Sequence, residues 1–197
     1  MSGVTFREVM TGQLTLGTTD PRAGYQNPNS VGFVVDATIE IPDLSAFLDD
    51  PNHRGGLRAD VDVPRWGEQC GSRIRGTFGL FTPTEHARTT HMIYELPVTV
   101  DGRPHWIVGV KQIRVEAIWR LWPATTTLYT TVHEGQDSSG TIVGAGIVRL
   151  NLPGVLAMLA TMRGTSARWH ARAWNVLRFL TFFTTGLVST YLLRRRA

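Results

Sequence analysis

Short runs rich in Val, Ile, Thr, Phe and Tyr recur along this chain, each bounded by Gly, Pro, Asp or Asn, and most follow one another without an intervening helix. The runs at 5–16, 31–41, 57–63, 72–81, 89–100, 105–115, 125–134 and 143–150 make eight candidate strands. A parallel pair needs a long crossover, usually a helix, so strands that follow each other this closely pair antiparallel. The expected fold is mainly β: an antiparallel meander closing into a barrel or sandwich, with barrel-like closure favoured. Asp101-Gly102 suits a two-residue turn with positive φ and predicts a hairpin between runs five and six. Residues 136–140, Gln-Asp-Ser-Ser-Gly, form a looser turn between runs seven and eight.

Three segments read as helix. Residues 42–50 place Asp43 as a cap before Leu44, Phe47 and Leu48 at i, i+3, i+4, and Pro51 stops them. Residues 152–162 begin near Pro153, are apolar all round and end before Gly164, as expected of a buried helix that plugs or caps the β body. Residues 167–193 contain no Pro and one Gly, enough for a single helix of roughly 40 Å at 1.5 Å per residue.

That last helix lies in a segment of unusual charge. The final sixty residues hold eight Arg and no Asp, Glu or Lys; against an overall net charge of +4, residues 1–137 therefore carry −4. A mildly acidic body at 1–163 and a basic, aromatic C-terminal helix at 164–197 are expected. Trp169, Trp174, Arg178, Phe179, Phe182, Phe183, Arg194, Arg195 and Arg196 are its candidate membrane- or partner-binding residues. The uncharged run at 179–193 falls short of the ~20 residues that span a bilayer. Arg178, Thr181, Thr185 and Ser189 form a polar stripe opposite Leu177, Leu180, Phe183, Leu187 and Tyr191. Three readings stay open: packing on its own body or a partner, lying on a membrane surface, or spanning.

Other classes find little support. Cys70 is the one cysteine, so no intrachain disulfide forms, and a reducing compartment fits best. Residues 1–10 lack the apolar run of a secretory signal; a cytoplasmic location, with peripheral attachment at the inner face of the membrane as an alternative, is expected. Nineteen Arg against Lys111 alone reflects codon usage before nucleic-acid binding, and no recognition-helix, finger or RNA-binding motif is present. No P-loop, nucleophile elbow, dinucleotide-binding glycine pattern or H-E-x-x-H occurs, the histidines show no metal-ligand spacing, and no cofactor is expected.

Three clusters remain as candidate sites. Trp119 and Trp122 precede a Thr-rich strand start with Thr126 and Leu128; with Lys111 they are candidate ligand-binding residues at a barrel mouth, the competing reading being a Trp plug. Asp20, Arg22 and Tyr25, with Pro21 and Gly24, read as a structural turn whose charges pair or dock back on the body, or as a partner-binding cluster. His133-Glu134 offers acid–base groups, but neighbouring strand residues face opposite ways, so a catalytic pair is a minor alternative.

The ordered motifs Phe6-x-Glu8-x-Met10-x-Gly12, Asp20-x-x-x-Gly24, Asp49-Asp-Pro51-x-His53, Gly76-x-Phe78-x-Leu80-Phe81, Gly109-x-Lys111, Leu121-Trp-x-x-Thr-Thr-Thr-Leu128, His133-Glu-Gly135 and Gly140-x-x-Val143-Gly-x-Gly146 run from Phe6 through Met162. This order resembles an accessory β domain associated with bacterial glucose–methanol–choline flavin oxidoreductases of the cholesterol-oxidase-like type. The resemblance implies a non-catalytic accessory or partner-binding domain working beside a separate flavin-dependent sterol or lipid oxidoreductase. It carries over neither the flavin chemistry nor that of the α/β-hydrolase often carried in the same long chains, because the residues of both are absent. The alternative from the residues is a lipid- or sterol-binding barrel held to a membrane surface by its C-terminal helix.

Overall fold

The computed structural model describes residues 2–64, 66, 72–84, 89–114 and 125–192. Nine strands are described: β1 Gly3–Leu16, β2 Val31–Ile41, β3 Arg54–Asp62, β4 Ile74–Pro83, β5 Thr89–Val100, β6 Arg103–Arg114, β7 Thr127–Glu134, β8 Ile142–Arg149 and β9 Arg163–Thr165. Four helices accompany them: α1 Pro21–Gln26, α2 Leu44–Asp49, α3 Leu152–Thr161 and α4 Trp169–Leu192.

β1 through β8 pair in sequence order and antiparallel throughout, and β1 pairs with both β8 and β2, which closes an eight-stranded meander barrel. Closure removes the exposed edges that an open sheet would present. Alternation sets the interior. Along β1, Val4, Phe6, Glu8, Met10 and Leu14 are buried while Arg7, Val9 and Thr11 face out, and β2 and β5 repeat the pattern with Phe33, Val35, Ala37, Ile39 and with Met92, Tyr94, Leu96, Val98. At the β5–β6 hairpin, Asp101 (φ 48°) and Gly102 (φ 76°) both take positive φ between the paired Val100 and Arg103, as the sequence predicts.

β1 is the strand where the wall changes partner. Its Thr11–Leu16 half pairs with β8 and its Gly3–Thr5 end pairs with β9. Between them α3 lies against β1: the Arg7 N–H donates to Thr161 Oγ1 at 3.0 Å. The helix thus fills a stretch of wall, and only one of its faces is covered. Leu152, Leu156 and Leu159 on the other face are 58%, 61% and 46% exposed, which corrects the expectation of a fully buried plug.

α4 lies against the barrel as one long helix. Phe179 is buried against Phe6 and Phe47; Phe182 meets Phe47, His53 and Phe81; Phe183 stacks on Phe81. The barrel-facing stripe runs through Asn175 and Phe179, which are buried, and Phe182, Phe183 and Gly186, which are half-buried, at the 3- and 4-residue steps of one helix face. Leu177, expected on the apolar side, is instead 54% exposed and shares the outward face with Trp174 and Thr181. The expected boundary at 163/164 falls inside β9, and Phe179 belongs to the barrel's own core. Among the described residues, no helix is long and apolar enough to cross a membrane.

Residues 42–50 fold as read from the sequence: the Asp43 carboxylate caps α2 by accepting from the N–H groups of Ser45 and Ala46. The segment at 20–25, expected as a turn, is instead the cap Asp20 followed by the helix α1, Pro21–Gln26. Asp20 caps it through Ala23 N–H at 2.7 Å and Pro21 starts it, a combination that favours a helical first turn.

Candidate functional site

Where α3 replaces β8 beside β1 and α4 crosses close by, a cavity of about 130 Å³ opens toward the barrel interior. Its walls are apolar: Phe6, Phe78, Leu80 and Met92 from the strands, Val155, Met158 and Leu159 from α3, and Phe179, Leu180 and Phe183 from α4. Leu159 is also partly exposed, so the cavity reaches the surface beside α3. A barrel of eight strands is just wide enough to be filled by side chains or to hold one small ligand. Here the interior is left partly unfilled at one end.

The polar groups in this wall are concentrated at Glu8, Lys111 and Tyr94, which come from β1, β6 and β5. Lys111 Nζ donates to Glu8 Oε2 at 3.1 Å and to the Tyr94 hydroxyl at 2.9 Å, and lies 4.8 Å from the Tyr94 ring centroid. All three side chains are buried. Taking a charge into an apolar interior costs several kcal/mol unless it is paired, so opposite charges at inward positions of two strands require each other. Burial, then the charge of Glu8 and a hydrogen bond from the hydroxyl to its carboxylate, push the Tyr94 hydroxyl well above the ordinary tyrosine range. Glu8 Oε1 is buried without a hydrogen-bond partner. A buried acceptor left unsatisfied costs about 1–3 kcal/mol, and such an atom beside a cavity marks a place for a donor.

Of the residues singled out in the sequence for ligand binding, Lys111 and Thr126 line this cavity. Leu128 is buried but packs over Gly109, where a Cβ would stand 2.7 Å from its Cδ2, and is not a cavity residue. Trp119 and Trp122 lie outside the described residues, as do Arg194, Arg195 and Arg196. Sequence reasoning left Glu8 and Tyr94 out of the site. The signal was available: Glu8 interrupts the inward series Val4, Phe6, Met10, Leu14, and the only lysine sits at an inward position of β6.

The other clusters stand apart from the cavity. Asp20 and Arg22 do not pair. Arg22 instead stands 5.8 Å from the Tyr129 ring centroid, and Arg149 lies 4.8 Å from that of Tyr25, so α1 docks on the outer wall at β7 and β8. His133 uses both ring nitrogens locally: Nδ1 lies 3.0 Å from Gly140 O and Nε2 2.9 Å from Thr131 Oγ1. With Nδ1–H donating to the carbonyl, Nε2 accepts from the threonine, and the ring ties down the β7–β8 turn. Glu134 beside it is exposed, while the His133 ring is buried. Among the described residues, no three His, Cys, Asp or Glu side chains group as a metal site.

On the candidate interfacial helix, Phe179, Phe182 and Phe183 are turned toward the barrel, while Trp169 (80% exposed) and Trp174 (63%) face out. Arg178 is exposed and donates to Ser45 Oγ at 3.0 Å. No family model, no curated protein and no solved structure matches this chain.

Proposed function

We propose that this chain is a binding module that holds one small apolar molecule, or the end of a larger one, inside its barrel. The observation that supports this reading is the apolar cavity between α3, α4 and the barrel wall, with the Glu8–Lys111–Tyr94 cluster as its polar end. Ligand sites have this character: a concave apolar surface with a few polar groups that fix orientation. The size sets the scale of the bound part, since an apolar cavity of about 150 Å³ holds a benzene-sized molecule. Mass spectrometry of the gently purified full chain, native and after organic extraction, tests the proposal. A stoichiometric apolar adduct is expected, and its loss in Met158→Trp, which fills the cavity. Absence of an adduct together with failure to take up added hydrocarbon would contradict the reading.

A second reading concerns where the module works. Exposed Trp169, Trp174 and Leu177 on α4, and Leu152 and Leu156 on α3, lie in a segment that has Arg and no acidic residue. Indole rings and arginines together suit the interface of an anionic membrane. We propose that these exposed side chains meet such a surface and that the ligand enters beside α3. The accessory role beside a separate flavin-dependent oxidoreductase rests on the ordered motifs; a barrel presenting a sterol or lipid to that enzyme would satisfy both ideas.

A further inference from the structure

The polar end of the cavity has an unfilled valence of each kind. Lys111 carries three protons, two of which are engaged by Glu8 Oε2 and the Tyr94 hydroxyl, leaving one donor. The Tyr94 hydroxyl, which accepts from Lys111, turns its own proton to the Glu8 carboxylate. Glu8 lines the cavity, its side chain is 2% exposed, and its Oε1 has no donor in hydrogen-bond geometry, leaving one acceptor. The pair is also neutral as a unit, one ammonium against one carboxylate 3.1 Å apart.

Building on the binding reading above, we infer that the ligand is an uncharged alcohol whose hydroxyl docks at Glu8 and Lys111, donating to Glu8 Oε1 and accepting from Lys111 Nζ. A hydroxyl is a donor and an acceptor in one small group, which matches the two unfilled valences. A carboxylate only accepts; it would set a second negative charge against Glu8, where burial makes like charges most costly. An ammonium only donates and would face Lys111 in the same way. A hydrocarbon would leave Glu8 Oε1 as it is, unsatisfied. Selectivity of this kind is strong because a site built to pair a hydroxyl is left with buried unpaired groups when the analogue lacks it.

Calorimetric titration of the full chain with four six-carbon probes tests the inference: hexan-1-ol, 1-fluorohexane, hexanoate and hexylammonium. In the wild type, hexan-1-ol is expected to bind at least tenfold more tightly than each of the others. Glu8→Gln removes the negative charge and leaves Lys111 unneutralised, so the preference should move to hexanoate. The double variant Glu8→Leu/Lys111→Met removes both charges together and keeps the interior apolar; it should bind hexan-1-ol and 1-fluorohexane alike, and it decides the matter if Glu8→Gln does not fold. Wild-type binding of 1-fluorohexane as tight as hexan-1-ol would mean that the buried polar atoms need nothing from the ligand. That result, or a wild-type preference for hexanoate or hexylammonium, overturns the head-group inference and leaves the binding reading standing. Failure of all four probes to bind overturns both.

Discussion

Lys111 Nζ lies 3.1 Å from Glu8 Oε2, joining two inward-facing side chains 103 residues apart in sequence and each no more than 3% exposed. This contact ties the first strand to the sixth across the barrel interior. Removing one partner strands a buried charge, which costs about 3–5 kcal/mol, whereas replacing both with apolar residues of similar size is often neutral or stabilising. Lys111→Met alone is therefore expected to lower unfolding stability by about 3–5 kcal/mol, and the double variant Glu8→Leu/Lys111→Met to recover most of that loss. Urea unfolding of the three proteins checks this; additive losses in the double variant would show that the two side chains do not act as a pair.

Tyr94 gives the pair a pH signature. Its hydroxyl is held neutral in the folded chain by burial and by the Glu8 charge, so its folded pKa lies above the unfolded value of about 10. A raised folded pKa contributes stability that is fully present below the unfolded pKa and is lost as pH rises above it. The melting temperature should accordingly fall above about pH 10. Tyr94→Phe should be less stable at neutral pH, having lost a hydrogen bond from Lys111, and should show a shallower alkaline decline. Equal slopes for the two proteins would contradict the assignment to Tyr94.

Gly186 marks how closely α4 approaches the barrel. A Cβ placed there would stand 2.5 Å from the Phe81 ring. Gly186→Ala should destabilise the chain by about 1–3 kcal/mol through overpacking. In Phe81→Leu, which shortens the opposing side chain, the same glycine substitution should cost much less. An equal cost in both backgrounds would place the α4 contact elsewhere.

Truncation after residue 166 follows from the same packing. Loss of α4 uncovers Phe6, Phe47 and Phe81, all buried in the intact chain and all in ring contact with α4. The shortened chain is expected to bind a hydrophobic dye such as ANS and to melt at lower temperature, not to behave as a more soluble independent body. A truncated chain with an unchanged melting temperature would restore the body-and-tail description.

How much of this the sequence carried follows the range of the interactions involved. The eight strands, the Asp101-Gly102 hairpin and the Asp43 cap depend on local alternation and turn chemistry, and they read directly from neighbouring residues. Barrel closure rests on the long-range β1–β2 and β1–β8 pairing, for which the sequence offers only the absence of crossover helices. α3 is apolar all round, so its pattern did not reveal which face would be covered or that Leu156 would stay exposed. The site was half legible: Lys111 and Thr126 stood out as residue types, while Glu8 and Tyr94 gain their meaning only when closure brings β1, β5 and β6 around one space. A charge at an inward position of an alternating strand was the clue, and its opposite lay a hundred residues away.

The occupied cavity can be observed most directly through its methionines. Met92 and Met158 line it, as does Met162 at the end of α3, whereas Met10 is buried in the core without lining it. With the methionine methyl groups labelled with carbon-13, NMR titration of the full chain with hexan-1-ol should shift the Met92, Met158 and Met162 signals together, in a saturable way and with one affinity, while Met10 moves least. Unchanged signals from those three methyls at saturating alcohol would contradict the central claim that the barrel holds a ligand at this end.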